Sequence, residues 1–164
     1  MLLPGNKFKT ELGQGAPLLG LWVSLCSPAA AEIAAHSGAD WLLIDMEHAP
    51  NEVASVVEQL RAAEGVCSIL VRPPESGQAV TKRLLDVGVK SIMFPMIDTA
   101  DQAREVVSWT RYPPKGVRGI SGVVRANGYG RDKDYRSRLE GELCVIVQAE
   151  TPRALANYQR DRCG

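Results

Sequence analysis

Apolar and polar positions alternate along this chain in blocks rather than residue by residue. Short apolar runs at Leu18–Leu25, Trp41–Asp45, Ser68–Arg72, Ser91–Met96 and Leu143–Gln148 have the length of buried strands. Between them, apolar residues recur at helical spacing and predict helices over Ala29–His36, Glu52–Ala63, Ala79–Val87 and Ala100–Thr110. Each helix has a start signal ahead of it: Ser27-Pro28, Pro50-Asn51, Glu75-Ser76 and Asp98-Thr99. Gly38, Gly65 and Gly88 follow the first three, where a left-handed residue commonly ends a helix. Alternating strands and helices predict a parallel sheet built from β/α units.

The alternation breaks once, between Arg111 and Gly141. This stretch carries Tyr112-Pro113-Pro114-Lys115-Gly116 and then Gly119, Gly122, Gly128 and Gly130, interleaved with Arg118, Arg125 and Arg131. A short helix is predicted at Lys133–Leu139. So long an excursion inside a compact domain is commonly functional or a partner contact. The other reading is a solvated loop whose arginines add solubility.

Composition narrows the function classes. The chain has 164 residues, 45% hydrophobic and 23% charged, which suits one globular domain. Basic and acidic residues balance at 19 each, so no net field favours nucleic acid or an anionic membrane, and a small-molecule partner is expected. No signal-peptide pattern opens the chain and no run of about 18 apolar residues occurs, so a soluble cytoplasmic protein is expected. Cys26, Cys67, Cys144 and Cys163 show neither CxxC nor zinc spacing. They read as unpaired thiols in a reducing compartment, three of them in or beside apolar runs.

The polar residues at the strand ends suggest chemistry. The second run ends in Asp45-Met46-Glu47-His48-Ala49-Pro50, the third in Arg72-Pro73-Pro74, and the fifth in Gln148-Ala149-Glu150. In a parallel sheet all three fall at the C-terminal edge, where α/β folds bind ligands. There His48 can act as a base, Arg72 can grip a carboxylate or a developing oxyanion, and a glutamate can offer oxygen to a divalent metal. Taken singly, a histidine beside a helix start is also the mark of a solvated or capping residue. Convergence on one edge is what favours a site. His36, at a helix end, reads as structural. Asp86 sits late in a helix, where an acid opposes the helix dipole, and reads as either solvent-exposed or specially employed.

Several of these segments carry a resemblance. Gly20-Leu21-Trp22-Val23-Ser24, Asp45 to Asn51, Val71-Arg72-Pro73-Pro74, Lys82 to Gly88, Phe94-Pro95-Met96, Arg111 to Gly119 and Val147 to Thr151 resemble, in order, the HpcH/HpaI aldolase family. That family includes 4-hydroxy-2-oxoheptanedioate and 2-dehydro-3-deoxyglucarate aldolases. The likeness runs from residue 5 to residue 157, with a divergent tail at 158–164. It implies a (β/α)8 TIM barrel of the phosphoenolpyruvate/pyruvate superfamily, of which five β/α units are present in one incomplete domain spanning 1–164. The activity implied is class II, metal-dependent cleavage of 4-hydroxy-2-oxo acids to pyruvate and an aldehyde through a pyruvate enolate, in a homohexamer when complete.

The resemblance also implies roles. His48 is the general base, held and polarised by Asp45; Arg72 binds the substrate oxygens and stabilises the enolate; Gln148 contacts substrate. Glu150 is a ligand to Mg²⁺, Mn²⁺ or Co²⁺, and Asp86 reaches a histidine of a neighbouring subunit. A complete barrel of this type has eight strands and about 250 residues. The strand bearing the second metal-binding acid is not among the five, and the altered final residues fit a frameshift or a sequence error. A second expectation therefore stands beside the enzyme: an inactive fragment, or an interaction subunit of a full-length aldolase.

Overall fold

A computed structural model describes residues 5–162 of the chain. Five strands form one parallel sheet in sequence order: β1 (Gly20–Val23), β2 (Trp41–Asp45), β3 (Ser68–Arg72), β4 (Ser91–Phe94) and β5 (Cys144–Val147). The helices joining them are α2 (Pro28–Ala35), α3 (Val53–Ala63), α4 (Gln78–Asp86), α5 (Ala100–Thr110) and α6 (Tyr135–Glu142). A helix α1 (Lys7–Leu12) precedes the sheet, and α7 (Pro152–Arg162) follows it. This is five β/α units of the TIM-barrel type.

The helix starts follow the chemistry of their caps. Ser27 and Thr99 each accept a backbone N–H with the side chain, and Thr99 completes a capping box with Gln102. Gly38, Gly65 and Gly88 have φ of 92°, 82° and 104°, the left-handed stops that the pattern predicts.

Strand periodicity sorts side chains onto two faces. Outward-pointing Ile44, Val71, Ile92 and Phe94 pack with Val53, Val56, Leu60, Leu84, Leu85 and Val106 of the helices. Leu42 and Val23 likewise meet Ala31, Ala35 and Ala63. Inward-pointing Leu43, Leu70 and Cys144 meet Phe8 of α1, with Trp41, Met93 and Ile146 around them. Gly20 makes room for this floor: a Cβ there would lie 2.0 Å from the Trp41 ring.

Helix α1 has no counterpart among the predicted elements. Asn6 caps it by accepting from Lys9 N at 3.1 Å. The same side chain donates through Nδ2 to Lys90 O, Ser91 Oγ and Glu142 O at 3.3, 3.0 and 2.8 Å. Phe8 is the only buried residue of this helix, so hydrophobic periodicity over six residues carries almost no signal.

The excursion between α5 and α6 is neither a free loop nor a bare partner surface. Arg118 is 1% exposed, donates to Asp86 Oδ1 at 2.8 Å, and lies 4.7 Å over the Tyr112 ring. Arg125 donates to Val87 O at 2.9 Å and to Glu64 Oε2 at 3.3 Å. Two of the three arginines that resembled solubilising charges therefore pin this segment to α3 and α4; Arg131 is exposed. The short helix starts at Tyr135, two residues later than the pattern predicts, and runs to Glu142. Cys26 and Cys67 are half-buried free thiols and Cys144 is buried, whereas Cys163 lies outside the described residues. The tail that diverges from the family pattern after residue 157 is helical in its backbone as far as Arg162.

Candidate active site

Asp45 and Arg72 are the last residues of β2 and β3, and they stand opposite each other in the parallel register. Both point inward and are buried, at 3% and 6% exposure. Their contact is bidentate: Arg72 Nε donates to Asp45 Oδ1 at 2.9 Å and Nη2 to Oδ2 at 2.8 Å. Such a fork fixes the plane of the guanidinium as well as its position. Burial alone would raise the Asp45 carboxyl, but the Arg72 hydrogen bonds and charge and the backbone N–H groups of Glu47 and His48 outweigh it and hold the group below the usual range. Arg72 is raised, chiefly by its hydrogen bonds to Asp45.

The rest of the guanidinium is also engaged. Nη1 lies 3.0 Å from Glu47 Oε2 and donates to Gln148 Oε1 at 3.5 Å, while Cζ sits 4.4 Å from the Trp22 ring centroid. Trp22 comes from β1 and Gln148 follows β5, so groups from strands on both sides converge on Arg72. Stacking on the indole face is a cation–π contact.

The segment after β2 is shaped by its own hydrogen bonds. Asp45 Oδ1 accepts from Glu47 N at 3.0 Å and His48 N at 3.4 Å. Asn51 Nδ2 donates to Asp45 O at 2.7 Å, and Asn51 Oδ1 accepts from Ser55 Oγ and Gln59 Nε2 at 2.9 and 2.7 Å. The His48 side chain therefore stands out from the turn, 74% exposed. Asp45 reaches residue 48 through the backbone N–H, not through the imidazole. The carboxylate facing the ring is Glu47, whose Oε2 lies 3.9 Å from His48 Nε2.

Glu150 sits beyond β5 and accepts from Met96 N at 2.8 Å and from Gln148 Nε2 at 3.4 Å. Met96 adopts φ of 57°, a left-handed conformation uncommon outside glycine, so the backbone at this edge is strained where it grips the carboxylate. Glu150 is the one acidic side chain here not committed to Arg72. Among the described residues, no three His, Cys, Asp or Glu side chains come together to hold a metal ion. The donors present do not make up a divalent-cation site, which needs about six oxygens.

Asp86 is elsewhere. It closes α4 at the opposite, N-terminal end of the strands and pairs within the chain with Arg118 rather than with either histidine. The structure thus brings together His48, Asp45, Arg72, Gln148 and Glu150 and leaves Asp86 apart. It adds Trp22, Glu47 and Asn51. The register of Trp22, two residues from β1's inward Gly20, could have announced the first; the four-residue spacing of Asn51, just ahead of α3, from Ser55 and Gln59 within it could have announced the last. Two cavities, of about 270 and 460 Å³, lie at the N-terminal end of the sheet, away from this cluster.

The chain is 46% identical over 159 residues to a hydroxypyruvate/pyruvate aldolase of Paraburkholderia phytofirmans, covering 96% of this chain and 60% of that one. It is 48% identical over 157 residues to a 2-keto-3-deoxy-L-rhamnonate aldolase of Klebsiella pneumoniae, covering 94% and 59%. An HpcH/HpaI aldolase/citrate lyase family protein from Burkholderia cenocepacia superimposes with a TM-score of 0.91 at 44% identity, covering 94% of this chain and 63% of its own. The chain spans about 60% of the length of the curated relatives it matches. Residues 18–160 match the family description of HpcH/HpaI aldolase/citrate lyase, and the chain belongs to that family.

Proposed function

We propose that the Arg72 cluster is the reaction centre of a carbon–carbon lyase that cleaves 4-hydroxy-2-oxo acids to pyruvate and an aldehyde. The observation that carries this reading is a buried guanidinium, fixed in plane by Asp45 and Trp22, beside an exposed imidazole at the C-terminal edge of a parallel sheet. Retro-aldol cleavage puts charge on the 2-oxo oxygen as the C3–C4 bond breaks. A preoriented cation at that oxygen lowers the barrier because it needs no reorganisation during the reaction. His48 is open to the substrate side; it takes the proton of the C4 hydroxyl as the aldehyde carbonyl forms and returns it to C3 of the enolate to give pyruvate. Gln148, already turned to Arg72, orients the oxo acid. The related names favour a sugar-acid or hydroxypyruvate-type substrate, and no helix among the described residues is long and apolar enough to cross a membrane. Glu150 is the residue through which a divalent ion would be shared with further ligands, but the residues here do not complete such a site, and the steps above use none.

The test is pyruvate release from a 4-hydroxy-2-oxo acid, with and without added Mg²⁺, Mn²⁺ or Co²⁺. Turnover that falls about 10²–10⁴-fold in His48→Ala supports the reading. A well-folded sample with no turnover overturns it and favours the other expectation, a non-catalytic partner of a longer aldolase. That second reading rests on the single carboxylate at the metal position and on the exposed Leu21, Trp22 and Val147 of the outer strands.

A further inference from the structure

Glu47 lies between the two groups that the retro-aldol reading employs, and it touches both. Its Oε2 is 3.0 Å from Arg72 Nη1 and 3.9 Å from His48 Nε2, and its side chain is only 18% exposed. That oxygen is fully buried with no hydrogen bond aligned on it. Arg72 Nη1 pairs with it in charge but aims no N–H along the contact, so an N–H brought into line there is favoured. Besides Arg72, the imidazole is the donor nearby, with Nε2 at 3.9 Å. Catalytic hydrogen bonds that are long in a free protein commonly tighten when substrate binds.

Asp45 is not free to serve the imidazole. Oδ1 accepts from Arg72 Nε and two backbone N–H groups, and Oδ2 accepts from Arg72 Nη2. Its geometry builds the turn and fixes the guanidinium. We propose that Glu47 is the positioning residue of this site: it holds the His48 ring toward Arg72, leaving Nδ1 as the atom that faces the substrate hydroxyl. An exposed histidine on a turn otherwise samples several rotamers. Glu47 converts an exposed side chain into a directed one while Asp45 keeps Arg72 in place without it. The catalytic half of this inference rests on the retro-aldol reading; the contact itself does not.

The chain has two histidines, so ring relaxation by nuclear magnetic resonance can be assigned with one variant, and exposed His36 serves as the internal mobile reference. In the wild type, the His48 ring should be markedly more ordered than that of His36, and Glu47→Ala should make the two alike. In the retro-aldol assay, Glu47→Ala should lower kcat about 10–100-fold with KM within about threefold, because the Asp45–Arg72 pair persists. Glu47→Gln keeps the length and an acceptor oxygen, and should restore both ring order and most of kcat. Equal mobility of the two rings in the wild type overturns the proposal, and so does an unchanged kcat in an active Glu47→Ala protein. If the wild type turns nothing over, the retro-aldol reading fails by that result, while ring relaxation still decides whether Glu47 holds His48.

Discussion

Two buried arginines, Arg72 and Arg118, share a residue type and an aromatic neighbour but differ in what surrounds their nitrogens. Arg72 has a bidentate carboxylate, a second carboxylate, an amide and an indole face. Arg118 has one carboxylate oxygen, a long contact with Tyr135 Oη at 3.5 Å and the Tyr112 face; its Nε and Nη1 are buried without hydrogen-bond partners. Arg72 stands at an edge open to solvent, whereas Arg118 is sealed under the α5–α6 segment. On the proposed function the first directs charge at a ligand, whereas the second spends its length filling space and tying a loop to α4.

Substitution separates these roles. Arg118→Ala should destabilise the fold most, by about 3–5 kcal/mol in denaturant unfolding, since it opens a cavity and strips Asp86 of its partner. Arg118→Met fills that space without unpartnered N–H groups and should recover most of the loss. If Met proves as harmful as Ala, Arg118 matters for its charge and the contrast with Arg72 collapses. Trp22→Leu acts on the other arginine. It should cost about 0.5–1 kcal/mol through the lost cation–π contact and loosen Arg72 without unfolding the sheet, visible as a raised KM with a melting temperature lowered by only about 1–4 °C.

The smallest change leaves the sequence intact. Asp45 is held below its ordinary value in the folded protein, so its stabilisation is complete above the unfolded-state value of about 3.9 and is lost as pH falls through the folded value. Unfolding free energy should therefore show no loss from Asp45 between pH 7 and 5 and decline below about pH 4. Asp45→Asn should flatten that acid limb. An acid limb unchanged in Asp45→Asn would mean that the Arg72 pair contributes no pH-dependent stability.

Much of the fold is legible from apolar spacing. The strand cores at Trp41–Asp45 and Ser68–Arg72 match residue for residue, because strands buried on both faces read as uninterrupted apolar runs. The first, fourth and fifth strands are shorter than the runs that announce them. Leu19 and Leu25 flank β1 but are 69% and 78% exposed, so hydrophobicity there does not report pairing. The site is legible as a set of residues and less so as a set of contacts. Spacing placed Asp45, His48, Arg72, Gln148 and Glu150 at one edge, yet it could not say which carboxylate faces the imidazole. That depends on an Asx-type turn in which Asp45 accepts from the backbone two and three residues on. Arg118 shows the same limit, since nothing in a glycine-rich stretch distinguishes an arginine that folds inward from one that stays in water.

The triple hydrogen bond of Asn6 has a consequence for the order in which the chain assembles. Its Nδ2 reaches partners 84, 85 and 136 residues further along. The first helix is made first during synthesis, but its anchoring groups emerge only with β4 and the end of α6. Closure of the sheet's floor is thus a late, high-contact-order step, and Phe8 remains exposed to other apolar surfaces until that step is complete.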